Sequence, residues 1–236
     1  MIKREGEKMS IKLEKMSEFF TARVNDYDEH MINNVEGCKE GYIKMAEFVP
    51  CNCITLLDLG CGTGLELEEI FKKYPDIQVT GIDLTKSMLD KLKEKYYDKD
   101  ITLINASYLE YNLGFEKYDA AVSFQTMHHF KHEDKLKLYK NIYNSLKPGG
   151  VYIECDYMVI NQKDEDFYFS EMERLRREQN LNDNEFYHYD TPCTVDNQIK
   201  LFKKAGFEIV KQLWRVDNTT IIVSKKSEVD KSGYIV

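Results

Sequence analysis

The residues of this chain with the clearest chemical use are a glycine turn, two carboxylates and a histidine pair. Gly60-Cys61-Gly62-Thr63-Gly64 stands directly behind the apolar run Leu56-Leu57-Asp58-Leu59. Glycine takes positive φ angles and lets backbone N–H groups approach a ligand with no Cβ in the way, so the turn reads as the meeting point of chain and nucleoside cofactor. The spacing is G-x-G-x-G. The dinucleotide fingerprint needs a small third residue where Leu65 stands, which disfavours a pyrophosphate cofactor. Asp83 follows at roughly the 20-residue interval at which an acid accepts hydrogen bonds from both ribose hydroxyls. His128 and His129 are the titratable pair for proton transfer. Together with His132 and Glu133 they have the residue types of a metal site. Adjacent histidines point in different directions on a regular element, and no HExxH-like spacing is present, so the sequence is read as having no metal.

These residues need strands that end at one edge. Thr55 to Leu59 has the length and apolarity of a buried parallel strand, and Leu65 to Tyr74 carries a helical stripe at Leu67, Ile70, Phe71 and Tyr74 before Pro75. Gln78 to Asp83, Ile101 to Asn105 and Tyr118 to Phe124 read as the next strands. The third runs into Ser107 and Tyr108, the fourth into Gln125-Thr126-Met127-His128-His129. All end at the carboxyl edge, where open α/β sheets bind ligands at the topological switch point. A tight turn in any doubly wound protein can use the same glycines, so the turn alone does not assign a function.

Taken together, LLDLGCGTG (56–64), GIDLTKSML (81–89), YDAAVSF with its exit QTMHHF (118–130) and LKPGGVYIECDY (146–157) resemble the class I S-adenosylmethionine-dependent methyltransferases. The resemblance covers about Met45 to Val159. It implies a doubly wound, seven-stranded, mostly parallel Rossmann-like sheet, with a helical lid before it and a helical insertion after strand five. It further implies that Asp58 and the Gly60, Cys61, Gly62 and Gly64 backbone hold the methionine end of S-adenosylmethionine, with S-adenosylhomocysteine as product. Asp83 takes the ribose, Leu84 and Met88 flank the adenine, and Gln125 meets the amino acid portion. Ser107 stands where the family commonly has an Asp for the adenine amino group, and the next N–H, on Tyr108, reaches toward a ring nitrogen. The weaker acceptor costs about 1 kcal/mol. The strand-four exit faces the transferred methyl in the family, which makes His128 and His129 the catalytic candidates.

The acceptor side is written less clearly. Ile11, Met16, Phe19 and Phe20 suggest one amphipathic helix, and a second runs from about Asn34 to Val49. Between them lie Tyr27 and His30, candidate lid residues in a segment that folds over the cofactor mouth in similar methyltransferases. Ordinary surface packing is the competing reading. After strand five, Asp164 to Gln179 reads as a charged helix leading to Asn184-Glu185-Phe186-Tyr187-His188-Tyr189-Asp190, a second wall from which Tyr187 is a substrate-binding candidate. Asp156 and Tyr157, at the end of strand five, are the remaining pocket candidates. Thr194 caps a last helix that stops at Gly206, and strands at Glu208 to Arg215 and Thr219 to Lys225 finish the sheet.

The 236 residues suit one domain with five parts: a lid (1–49), a cofactor core (50–159), a substrate cap (160–193), a closing helix and hairpin (194–225) and a frayed tail (226–236). A net charge of −8 argues against a large nucleic-acid partner. The charged N-terminus lacks the apolar stretch of a signal peptide and no run approaches a membrane span, so a cytoplasmic protein is expected. Six cysteines without a C-x-x-C pair read as buried hydrophobes; Cys51-x-Cys53 lacks the second pair of a metal clasp. Methyl transfer to an O, N or C atom of a small molecule is the leading function. A tRNA-modifying enzyme with an S-adenosylmethionine-type donor and a non-catalytic cofactor-binding protein are the alternatives. The oligomeric state stays open, a dimer included.

Overall fold

The computed structural model describes residues 11–182 and 185–228. Five strands run parallel: β1 (Thr55–Leu59), β2 (Gln78–Asp83), β3 (Ile101–Asn105), β4 (Tyr118–Phe124) and β5 (Leu146–Tyr157). β6 (Ile209–Val216) and β7 (Thr219–Lys225) complete a seven-stranded sheet in the order β3-β2-β1-β4-β5-β7-β6, with β7 antiparallel to both neighbours. This is the expected doubly wound sheet with its closing hairpin. The order reverses between β1 and β4, so their carboxyl ends diverge and leave the crevice in which such sheets bind ligands.

Apolar residues alternate across the sheet because both faces are covered. Leu56, Val79, Ala120 and Ile153 face α3 (Cys38–Phe48), α4 (Leu65–Lys73) and α5 (Lys86–Lys95). Leu57, Ile82, Ala121 and Tyr152 face α6 (His132–Ser145) and α8 (Val195–Ala205). The cap helix α7 (Gln162–Glu178) begins at Asn161, whose side chain accepts from the Asp164 N–H. No helix among the described residues is long and apolar enough to cross a membrane.

Three expectations change. The N-terminal region holds three helices rather than two: α1 (Met16–Arg23), α2 (Tyr27–Asn33) and α3. Ile11 lies exposed outside them, and α3 starts only at Cys38 because Gly37 (φ 79°) breaks the chain there. A Cβ on Gly37 would stand 3.0 Å from that of Thr219, so the sharp entry needs glycine. α1 matches the first predicted helix, whereas α2, seven residues with Met31 alone buried, carries too little apolar periodicity to stand out from the segment between the two. β5 starts at Leu146, ahead of the predicted Val151. The predicted tail is packed as far as it is described: Lys226 is buried and donates from Nζ to the Leu146 carbonyl at 2.7 Å, while its N–H bonds Gly150 O. The remainder, 229–236, lies outside the described residues.

Beneath the site, Glu154 of β5 is fully buried. Its carboxyl accepts from the hydroxyls of Tyr139 (2.8 Å) and Tyr152 (2.9 Å) and from the Gln198 amide. Burial, with Asp156 nearby, pushes its pKa up to about 8. A carboxyl raised in the folded state keeps a proton that the unfolded chain has released, so the contribution of Glu154 to stability is fully present below pH 4.5 and is lost as pH rises through 8. The slope is at most about 1.4 kcal/mol per pH unit for one such group. Thermal melts between pH 5 and 8 are expected to show this decline, and Glu154→Gln should flatten it; an unchanged slope in the variant would assign the decline elsewhere.

Candidate active site

The glycine turn between β1 and α4 is built as the sequence requires. Gly60, Gly62 and Gly64 have φ of 71°, 48° and 74°. A Cβ at Gly60 would lie 2.5 Å from Thr126 Oγ1, so no other residue fits against the β4 exit. Asp83, at the end of β2, accepts from the Gly62 N–H at 3.0 Å and the Thr85 N–H at 2.7 Å, one on each oxygen. The Thr85 hydroxyl bonds the same carboxylate, which faces a cavity that Gly60, Gly62 and Asp83 line with Leu84, Met88, Ser107 and Tyr108. Tyr108 Oη is tied to Thr126 Oγ1 at 2.7 Å, which leaves its backbone to the cavity.

Three predicted cofactor residues stand behind this wall instead of in it. Cys61 is buried under Gly81, where a Cβ would meet its sulfur at 2.9 Å. Gly64 caps α4 and its carbonyl accepts from Tyr96 Oη at 2.8 Å. Asp58 is fully buried, and neither of its oxygens receives an N–H or O–H of the protein. Its partner is the carboxyl of Glu66, which two acids can bond only across a shared proton. Burial, then Glu66, drives the Asp58 pKa well above the carboxylate range, and burial raises Glu66 to about 7. Glu66 carried no signal in the sequence because it sits in the first turn of an amphipathic helix.

A second cavity of about 1040 Å³ adjoins the first. Phe20, Tyr27, Gln125 and His129 line both and form their common wall. Gln125 sits at φ 49°, a strained angle for a side-chain-bearing residue, and its amide donates to Thr219 Oγ1 at 3.1 Å. His30 and Tyr157 line the second cavity. Tyr187 does not: it is buried against Leu13, Met172 and Leu175, with its hydroxyl on Glu185. In the extended chain there, its neighbours Phe186 and His188 are the ones that reach the first and second cavities.

The histidine pair occupies a single 3₁₀ turn, Met127–His129, between β4 and α6. His128 is clamped between carboxylates, Nδ1 lying 2.7 Å from Asp156 and Nε2 3.5 Å from Asp190. Burial opposes its charge, but the two acids prevail and raise its pKa to about 10. His129 goes the other way. Burial and the neighbouring His128 charge hold it well below the usual imidazole range, so it is neutral at pH 7. The two rings therefore differ in charge at neutral pH, His128 protonated and His129 not. Asp156 is the buried partner of His128 and lies behind the cavity wall.

The roof over both cavities comes from two distant segments. Lys15 and Tyr187 form an antiparallel bridge, with Met16 N–H bonding Phe186 O and His188 N–H bonding Glu14 O, both at 2.9 Å. Phe19 stacks on His188 with centroids 3.5 Å apart, and Arg23 covers Phe19 from the other side at 3.6 Å. Asp28 of α2 fastens the floor side: it accepts from Thr63 Oγ1 and pairs with Lys95 at 2.8 Å. Phe20 in the predicted N-terminal helix and His188 and Asp190 in the predicted second wall were not singled out from their neighbours, because each acquires its place only through contacts across the fold.

The methyltransferase-domain family profile matches residues 56–150. The carboxy-S-adenosyl-L-methionine synthase of Trichodesmium erythraeum (strain IMS101) is 30% identical over 192 residues, covering 73% of this chain and 73% of that protein. The chain belongs to the class I S-adenosylmethionine-dependent methyltransferases. A synthase of the same name from Campylobacter lari is 25% identical over 91% of this chain and 96% of its own. Among solved structures, an O-methyltransferase from Nostoc punctiforme PCC 73102 superposes with a TM-score of 0.68 at 19% identity, over 94% of this chain and 64% of that one. Human N-acetylserotonin methyltransferase, solved with S-adenosylmethionine, gives 0.61 at 17% identity over 89% and 59%. The chain thus spans less than two thirds of either structure, and at these identities they share the methyltransferase fold.

The cofactor is S-adenosylmethionine, and the residues present fit it. Gly60 and Gly62 bring a turn without Cβ atoms to the cavity, Asp83 stands beside it at the end of β2, and the buried Asp58 oxygens behind it receive no donor of the protein.

Proposed function

We propose that this methyltransferase acts on a small molecule held in the second cavity and uses His129 to take the proton from the attacking atom. The observation that carries the reading is the common wall: Phe20, Tyr27, Gln125 and His129 face the cofactor cavity on one side and the second cavity on the other. A nucleophile in line with the transferred group must lie at such a wall. When bound, S-adenosylmethionine supplies a methyl on a sulfonium. In this reading the glycine turn and Asp83 orient the cofactor, and Ser107 and Tyr108 meet the base. Phe20 and Tyr27 exclude water, His128 stays charged between Asp156 and Asp190, and its charge keeps His129 neutral and receptive. Lid (1–49), core, cap (160–193) and closing hairpin work as one unit around these cavities.

The size of the second cavity and its place beside the cofactor cavity favour a metabolite over a nucleic acid. The test pairs calorimetry on S-adenosylhomocysteine with a labelled-methyl screen against metabolite pools. One saturable site and label recovered in a small molecule are expected. Label found only in RNA would sink the small-molecule reading, and heat without label transfer from any pool would favour a non-catalytic binder.

A further inference from the structure

His128, His129 and Asp190 present one ligand atom each within 4.8 Å of one another. We propose that these three residues bind a divalent transition-metal ion, with zinc the probe of choice, at the floor of the second cavity. The inference rests on the acceptor-cavity reading above and gives that cavity a further group. Asp190 Oδ1 lies 3.5 Å from His128 Nε2 and 3.6 Å from His129 Nδ1. Ligands about 2.0–2.2 Å from a tetrahedral zinc ion stand roughly 3.3–3.6 Å apart, which the two separations from Asp190 already match.

Three further features fit an ion. The other ring nitrogen of His128 is hydrogen-bonded to buried Asp156 at 2.7 Å, the outer carboxylate that orients a metal-binding imidazole and makes it a better donor. All three residues line the cavity, which leaves the fourth position to a ligand from it, as in zinc sites that do chemistry. Asp156 and Asp190 also bring two carboxylates to the same histidine, one at each ring nitrogen. His129 Nδ1 now faces the Tyr189 carbonyl at 3.3 Å, a long contact; on binding, its proton moves to Nε2 and the Nδ1 lone pair turns to the ion. A hydroxyl that takes the fourth position loses its proton more readily, which is the task the metal-free protein leaves to His129.

A second trio, His132, Glu165 and Cys193, has similar spacing but is already engaged. Glu165 pairs with His132 at 2.9 Å and accepts from the Thr194 N–H, and buried Lys135 points its ammonium at Cys193 Sγ at 3.2 Å, where a cation would be repelled. It serves as the internal control.

The experiment titrates Zn²⁺ into the chelator-stripped, full-length protein by calorimetry and follows Co²⁺ loading by its d–d absorption. One ion per chain with a four-coordinate cobalt spectrum is expected. His129→Ala and Asp190→Asn should each weaken zinc at least 100-fold, Asp156→Asn about 10- to 100-fold, and Cys193→Ser should leave it unchanged. S-adenosylhomocysteine binding, measured on every variant, reports folding and separates the two readings, since its loss in the wild type strikes at the cofactor site alone. No saturable zinc in a protein that binds the homocysteine product, zinc that survives His129→Ala and Asp190→Asn, or zinc lost in Cys193→Ser would each overturn the metal site.

Discussion

Replacing His129 with alanine is expected to lower methyl transfer by about 10²- to 10⁴-fold, the usual contribution of a positioned proton acceptor. Affinity for S-adenosylhomocysteine should change by no more than about threefold. The asymmetry follows from the common wall: the ring touches the cofactor cavity with one face, but its neutral state matters only to the attacking atom. His128 differs in kind. Its imidazolium is held by Asp156 and Asp190, so His128→Gln should act through the position and charge state of its neighbour and alter the pH profile of kcat. The measurement is a single-turnover rate with the acceptor found by the labelled-methyl screen. Equal losses in rate and in cofactor affinity for His129→Ala would make the ring a packing element, and a normal rate would remove it from the proton path.

Asp83→Ala should weaken S-adenosylhomocysteine by 100-fold or more. Two charge-assisted hydrogen bonds to ribose hydroxyls are worth roughly 1.5–3 kcal/mol each. The carboxylate also bonds the Gly62 and Thr85 N–H groups, so its removal frees the glycine turn from the start of α5 at the same stroke. Asp83→Asn should be intermediate, because an amide oxygen can keep one of those backbone bonds. Calorimetry decides it. An Asp83→Ala affinity within threefold of wild type would move the ribose elsewhere in the cavity.

What could be read from sequence was what the backbone fixes locally. The glycine turn, the carboxylate at the end of β2 and the β4 exit are all set by short-range geometry at strand ends, and each stands at the predicted edge. Cys61 and Gly64 share the motif but serve packing and capping, a distinction that depends on which neighbour lies beneath each residue. Tyr187 was chosen from an aromatic run in which period-two alternation places Phe186 and His188 on the two cavities and Tyr187 in the cap's own core. The opposed charge states of His128 and His129 were beyond any pattern. They depend on Asp190, which is brought to the rings by the cap, and on burial that only the closed fold supplies.

The bridge between residues 14–16 and 186–188 has a practical side. Met16 and Phe186 line the cofactor cavity, while Phe19 and His188 line its neighbour, so one clasp walls both rooms. Met16→Pro or His188→Pro, each of which removes one N–H of that clasp, is therefore expected to loosen the two walls together.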